Sequence, residues 1–130
     1  PQLRNSLASL MEKREITFIS KGTYITTDGP RYETPAEIRA FALLGGDVVG
    51  MTNAPEAVLA REAGLCYANL SLVTNYAAGI SPYPLTHQEV VEMMGEKVDL
   101  IRAIFLETLL TLPGERDCLC GVKEDYPLGQ

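Results

Sequence analysis

An α/β fold on a mostly parallel sheet is what this sequence predicts, and three observations predict it. Short runs rich in β-branched and aromatic residues alternate with longer segments whose apolar residues recur at helical spacing. The run at 47–51 is apolar throughout its centre, like a strand covered on both faces. Helical segments carry recognisable caps, so the alternation has defined boundaries. Strand–helix–strand alternation of this kind requires crossover connections between parallel strands.

The elements follow in order. Residues 1–14 predict a helix that begins abruptly, with Leu3, Leu7, Leu10 and Met11 on one face. Residues 17–19 and 23–27 read as β-runs separated by Lys21-Gly22, the second ending at the turn signal Asp28-Gly29-Pro30. Thr34 and Glu37 form a capping box with Pro35 at the first helical position, which predicts a helix to 44, closed by Gly45-Gly46. After the strand at 47–51, residues 55–63 predict another helix, with Gly64 suited to its C′ position. Residues 66–73 read as a further apolar strand, and 74–84 as a Gly/Pro/Ser-rich loop of the sort that carries function. A second capping box, Thr86 with Glu89, opens a long helix to 110 whose stripe is Val90, Met94, Val98, Ile101, Ile104 and Phe105. Pro113-Gly114 ends it, and 114–130 is a polar tail without clear pattern.

Composition excludes several classes of function. With 130 residues, 46% hydrophobic and 22% charged, the chain is one small globular domain or a piece of a larger one. A formal charge of −6 without a Lys/Arg cluster argues against nucleic acid as a partner. No apolar run approaches the roughly 20 residues that span a bilayer. The first five residues do not resemble a signal peptide, so a soluble cytoplasmic protein without membrane contact is expected. Cys66, in an apolar run, is expected to be a buried, inert thiol. Cys118-Leu119-Cys120 offers either a strained local disulfide or two free thiols. It is too sparse for zinc without further ligands, and the chain has one His, so no metal site is expected. No Gly-rich phosphate loop and no Ser–His–Asp arrangement is evident.

Candidate binding residues gather at the carboxyl ends of strands, where ligands collect in parallel sheets. Tyr32 and Glu33 follow the second β-run, Met51 and Thr52 the third, Thr74 and Asn75 the last. The stiff Gly29-Pro30 turn would present the Tyr32 ring for stacking and the Glu33 carboxylate for ring N–H groups, the chemistry that grips a flat heterocycle such as a purine. Taken singly, each residue has a plainer reading: Asn75 a turn former, Met51 core, Tyr24 an ordinary strand residue, His87 surface, Thr52 a helix cap.

Gly29-Pro30-Arg31-Tyr32-Glu33-Thr34-Pro35-Ala36-Glu37-Ile38-Arg39, then Gly50-Met51-Thr52, Pro55-Glu56 and Val73-Thr74-Asn75, resemble the trimeric purine nucleoside phosphorylase family. That family also holds the methylthioadenosine and methylthioinosine phosphorylases. The resemblance runs from about 22 to 113 and covers the C-terminal part of the family's fold. It implies that 1–113 is the C-terminal part of a single phosphorylase domain, a three-layer αβα fold with a twisted, mostly parallel central sheet. It also implies that 114–130 is a tail. The family's phosphate loop, with its Arg and His, lies upstream of anything here, and the abrupt opening helix agrees with that. The 130-residue chain alone is accordingly expected to be inactive.

The resemblance implies phosphorolysis of a purine nucleoside to free base and sugar 1-phosphate, with inorganic phosphate as co-substrate, no other cofactor, and a homo-oligomer, trimer or hexamer. It assigns Tyr32 to packing on the purine, Glu33 to its N1–H, and Asn75 to its N7 and O6. Met51 falls under the ribose, Tyr24 beside the sugar, Thr52 at phosphate and His87 at the 5′-hydroxyl. Because all fall in one expected order, these roles displace the plainer readings. Asn75 also bears on specificity: an amide suits a 6-oxo group, whereas a 6-amino group calls for a carboxylate. Asn75 with Glu33 therefore resembles the 6-oxopurine branch, inosine or guanosine. His87 favours a 5′-hydroxyl over a methylthio group. Cys66-Tyr67-Ala68 and the C-x-C tail look more like the methylthio branch, and the tail pair resembles a feature of hyperthermophilic members that can form a disulfide.

Overall fold

The computed structural model of the chain describes residues 2–81, 87–116 and 118–121, leaving aside the side chains of 87 and 89. In chain order run α1 (Gln2–Lys13), β1 (Tyr24–Thr26), α2 (Pro35–Leu43), β2 (Val48–Gly50), α3 (Asn53–Glu62) and α4 (His87–Thr111). β1 and β2 pair in parallel, Tyr24 opposite Val48, Ile25 opposite Val49 and Thr26 opposite Gly50, and α2 makes the crossover between them. The α/β class with a parallel sheet is therefore as the sequence predicts.

Hydrogen bonds beyond the strands fix the register. Asp47 Oδ2 accepts from the Thr23 amide at 2.7 Å, while the Asp47 amide donates to the Thr23 carbonyl at 2.9 Å. At the other end the Thr27 amide donates to the Gly50 carbonyl at 2.9 Å. α3 packs on β1. Gly64 ends α3 with φ +67°, the left-handed C′ conformation expected of it.

A second centre of packing lies between α1 and α4. Leu7, Leu10, Met11 and Ile104 form its buried cluster, with Ile16, Phe18, Ala68 and Leu70 against it. Arg14, just past α1, donates to Glu107 of α4 through Nε at 2.9 Å and through Nη2. Among the described residues no helix is long and apolar enough to cross a membrane.

Three expectations need correction. Residues 17–19 are irregular rather than a strand; Phe18 is used as cover for the α1–α4 core. Residues 66–73 are also not a strand among the described residues, although exposure alternates there with a period of two: 66, 68, 70 and 72 are half-buried and 65, 67, 69, 71 and 73 exposed. That period belongs to extended backbone. A strand also needs a hydrogen-bonded neighbour, and among the described residues the sheet consists of β1 and β2. In α4, Val90 and Ile101 are half-buried and Ile104 buried as predicted, but Met94, Val98 and Phe105 are exposed. The covered face continues through Thr108 instead, because α1 covers only one side of a helix that is apolar on more than one. The Thr86–Glu89 capping box and most of the tail lie outside the described residues.

The α1–α4 core makes a sharp pair of predictions. Ile104, 3% exposed, should cost about 2–5 kcal/mol when changed to Ala. Thr108 is 5% exposed and its hydroxyl has no hydrogen-bond partner among the described residues, so Thr108→Val should raise stability by about 1 kcal/mol. Urea unfolding monitored by circular dichroism measures both, and a loss at Thr108→Val would show that its hydroxyl is satisfied.

Candidate active site

The loop between β1 and α2 is held at both ends before any ligand is considered. Its exit is a closed capping box: the Thr34 hydroxyl accepts from the Glu37 amide at 3.3 Å, and Glu37 Oε2 accepts from the Thr34 amide at 2.7 Å. Pro35 occupies the first turn as predicted. Arg31 then grips the same carboxylate with both arms, Nη1 to Oε2 at 2.9 Å and Nη2 to Oε1 at 2.6 Å. Its Nη1 also donates to the Tyr32 carbonyl at 3.0 Å. The guanidinium, then the Thr34 amide and hydroxyl, pull the Glu37 carboxyl down from 4.5 to about 2. The Gly29–Pro30 peptide inside the loop is cis.

Glu33 is the carboxylate the clamp leaves over. Thr27, at the end of β1, donates its hydroxyl to Glu33 Oε1. Together Thr26, Thr27, Asp28, Arg31, Glu33 and Glu37 line a cleft of about 320 Å³. Tyr32, between the lining residues Arg31 and Glu33, is 46% exposed and does not itself line the cleft.

β2 delivers the next group to the same rim. Met51 lies against the loop so closely that a Cβ on Gly29 would come 2.8 Å from its sulfur. Tyr24 begins β1, yet its hydroxyl reaches along the sheet to Gly50, where a Cβ would sit 1.9 Å from it. Only glycine fits there. Thr52 precedes α3 without capping it: the amide of Ala54 is taken by Thr26 Oγ1 from β1 at 3.0 Å. The plainer reading of Thr52 as a side-chain cap therefore fails, and its hydroxyl stands exposed.

The third group arrives on the loop after 66–73. Asn75 is oriented at both ends of its amide, Oδ1 accepting from the Thr74 hydroxyl at 2.6 Å and Nδ2 donating to the Tyr76 carbonyl at 2.9 Å. Farther along, Gly79 presses on Pro35, where a Cβ would come within 2.7 Å of the ring. The Asn75 loop and the Glu33 loop thus meet at the start of α2. His87 is the first residue of α4, and its side chain lies outside the described residues.

Sequence reasoning missed three supporting residues. Arg31 and Thr27 were passed over because their partners, six residues on in each case, are set by loop path rather than periodicity. Tyr67 gives no signal of its own in the sequence; its hydroxyl sits 2.8 Å from both Asn53 Oδ1 and Glu56 Oε2, tying 66–73 to the start of α3. Loss of hydration, then the bond to Glu56, raises its pKa.

The sequence model of the phosphorylase superfamily matches residues 1–111. A probable 6-oxopurine nucleoside phosphorylase of Dictyoglomus turgidum is 52% identical over 92% of this chain and 45% of its own length. A probable S-methyl-5'-thioinosine phosphorylase of Thermodesulfovibrio yellowstonii is 49% identical, with the same coverage of 92% and 45%. Among solved structures, the purine nucleoside phosphorylase of Schistosoma mansoni in complex with inosine superposes with a TM-score of 0.79 at 33% identity, over 87% of this chain and 41% of that one. The chain spans about half the length of the curated relatives it matches.

The clamp has a pH signature whose sign is fixed. Glu37 is held at about 2 in the folded chain against 4.5, so its contribution is complete above about 4.5 and lost as pH falls toward 2. Carboxylate NMR should find a Glu37 midpoint well below the usual range, and Arg31→Gln should move it upward. Equal midpoints in the two proteins would mean the bidentate pair does not hold the loop.

Proposed function

The chain belongs to the phosphorylase superfamily, and from that premise we propose that it forms the base-binding part of a 6-oxopurine nucleoside phosphorylase. The reaction is cleavage of inosine or guanosine by inorganic phosphate, giving free purine and ribose 1-phosphate. One observation carries this reading: a cleft-lining carboxylate, Glu33, is held by Thr27, and the loop that bears the neutral amide Asn75 rests through Gly79 on Pro35 at the start of α2. The name of the Dictyoglomus turgidum relative points the same way.

The chemistry follows from those groups. Tyr32 stacks on the purine, and Glu33 accepts from N1–H with the oxygen that Thr27 does not occupy. Asn75 has one N–H engaged by Tyr76 and one left to donate toward O6 and N7. As the bond from sugar C1′ to purine N9 breaks, its electron pair moves into the base, and that donor meets the charge where it develops. A phosphate oxygen bonds to C1′ from the opposite side, so no covalent enzyme intermediate forms. Met51 underlies the ribose, Tyr24 borders the sugar, Thr52 offers its hydroxyl to phosphate and His87 meets the 5′-hydroxyl. The protein works as a cytoplasmic homo-oligomer, a trimer or hexamer, with phosphate as its one co-substrate.

A second reading keeps the base and changes the sugar. The Thermodesulfovibrio yellowstonii relative supports S-methyl-5'-thioinosine as substrate, and Cys66-Tyr67-Ala68 with the C-x-C tail fits that branch. Comparing kcat/KM for inosine and S-methyl-5'-thioinosine on the native gene product separates the two.

The base assignment is tested at Asn75. In the native gene product Asn75→Asp should lower kcat/KM for inosine about 10²–10³-fold and shift preference toward adenosine. An unchanged inosine-to-adenosine ratio would overturn the assignment.

A further inference from the structure

Three cysteines from two distant stretches of the chain meet at one point, and none of them lines the cleft at Glu33. Cys66 follows the end of α3, whereas Cys118 and Cys120 lie on the turn at 118–121. The tail is docked there by contacts that involve no sulfur. Arg116 Nη1 donates to the Gly64 carbonyl at 3.0 Å, and a Cβ on Gly64 would sit 3.5 Å from the Cys120 carbonyl oxygen and from Gly121 Cα. Held in this way, Cys118 Sγ comes 3.3 Å from Cys66 Sγ. All three sulfurs lie within 4.8 Å of one another, all three residues are half-buried, and none is in a disulfide. Cys66, expected to be buried, is thus half-buried and one of a cluster of three thiols.

We propose that Cys66, Cys118 and Cys120 form a three-thiolate site for a thiophilic d¹⁰ cation, Zn²⁺ or Cu⁺. A C-x-C pair alone has too few ligands for zinc, and the fold supplies a third, Cys66, from 52 residues upstream of Cys118. Zinc–thiolate bonds of about 2.3 Å in tetrahedral geometry set sulfurs about 3.8 Å apart. The observed separations, from 3.3 Å to no more than 4.8 Å, bracket that value. An all-sulfur donor set selects soft cations over Mg²⁺ or Ca²⁺, which require oxygen. Cu⁺ is satisfied by three thiolates, whereas Zn²⁺ completes its shell with a solvent oxygen. Each thiol releases its proton to solvent as its sulfur binds, so no oxidant or reductant is consumed. The cation would pin the C-terminal turn to the end of α3.

The full chain, reduced and kept free of oxygen, is titrated with Cd²⁺ as a spectroscopic probe, then with Zn²⁺ and Cu⁺ against chromophoric chelators. One ion per chain is expected, with a thiolate-to-cadmium charge-transfer band, and the metal content of the native gene product as purified identifies the resident ion. Loss of a supporting hydrogen bond at a metal site costs 10–100-fold, so Cys66→Ser, Cys118→Ser and Cys120→Ser should each weaken binding by more than about 100-fold. Circular dichroism establishes that each variant is folded, and the band in the unaltered chain stands whatever the variants do. Binding unchanged in Cys66→Ser would reduce the site to the tail pair and overturn the proposal. So would the absence of binding in the reduced chain, leaving the cluster as a thiol–disulfide set.

Discussion

Tyr24, Tyr32, Glu33, Met51 and Thr52 are all placed by a parallel ladder three rungs long. Tyr24–Thr26 and Val48–Gly50 set two chain directions alike, so the segments that leave β1 and β2 emerge on the same side. A slip of one residue would turn every strand side chain to the other face. Asp47 guards against it by accepting from the Thr23 amide with its side chain while its own amide donates back to Thr23. Gly50 adds a steric condition, since the Tyr24 ring needs the space a Cβ would fill. With the register fixed, Thr27, Glu33 and Met51 become neighbours in space despite their separation in sequence.

The rim then divides its carboxylates between two tasks. Glu37 accepts from Arg31 and Thr34 with both oxygens and serves as scaffold. Arg31, bound to Glu37 and to the Tyr32 carbonyl, acts on Glu33 by charge. Glu33 has one oxygen bound by Thr27 and lines the cleft. A guanidinium between two carboxylates leaves one negative charge, enough to accept ring N–H groups. The arrangement is an exposed one, so its value lies in aiming groups more than in stability.

Legibility in the sequence followed the range of the interaction. The Thr34 capping box, the Gly64 helix end and the apolar face of α1 were readable because each is decided within four residues or one helical turn. The α4 face was half readable: a helix with apolar residues on several sides does not say which side α1 will cover. Residues 66–73 showed a strand's pattern, but pairing is a property of two segments and cannot be read from one. Arg31 was invisible for a similar reason, since its bond to Glu37 crosses a turn whose path no spacing rule describes. Cys66 meeting Cys118 is the extreme case, decided by how the tail docks on Gly64.

Thr52 illustrates how a structural contact can bear on a chemical role. A threonine before a helix is ordinarily its cap, using its hydroxyl on the first free amides. Here β1 supplies that service from outside, with Thr26 Oγ1 accepting from Ala54, because the ladder sets Thr26 opposite Gly50 and α3 lies against β1. The Thr52 hydroxyl is thereby released from the backbone at the point where the chain turns from sheet to helix. A donor so placed, beside the positive end of α3, suits an anion better than a neutral ligand. The same register that brings Thr27 and Met51 to one end of the sheet therefore also frees the Thr52 hydroxyl, for which we propose phosphate.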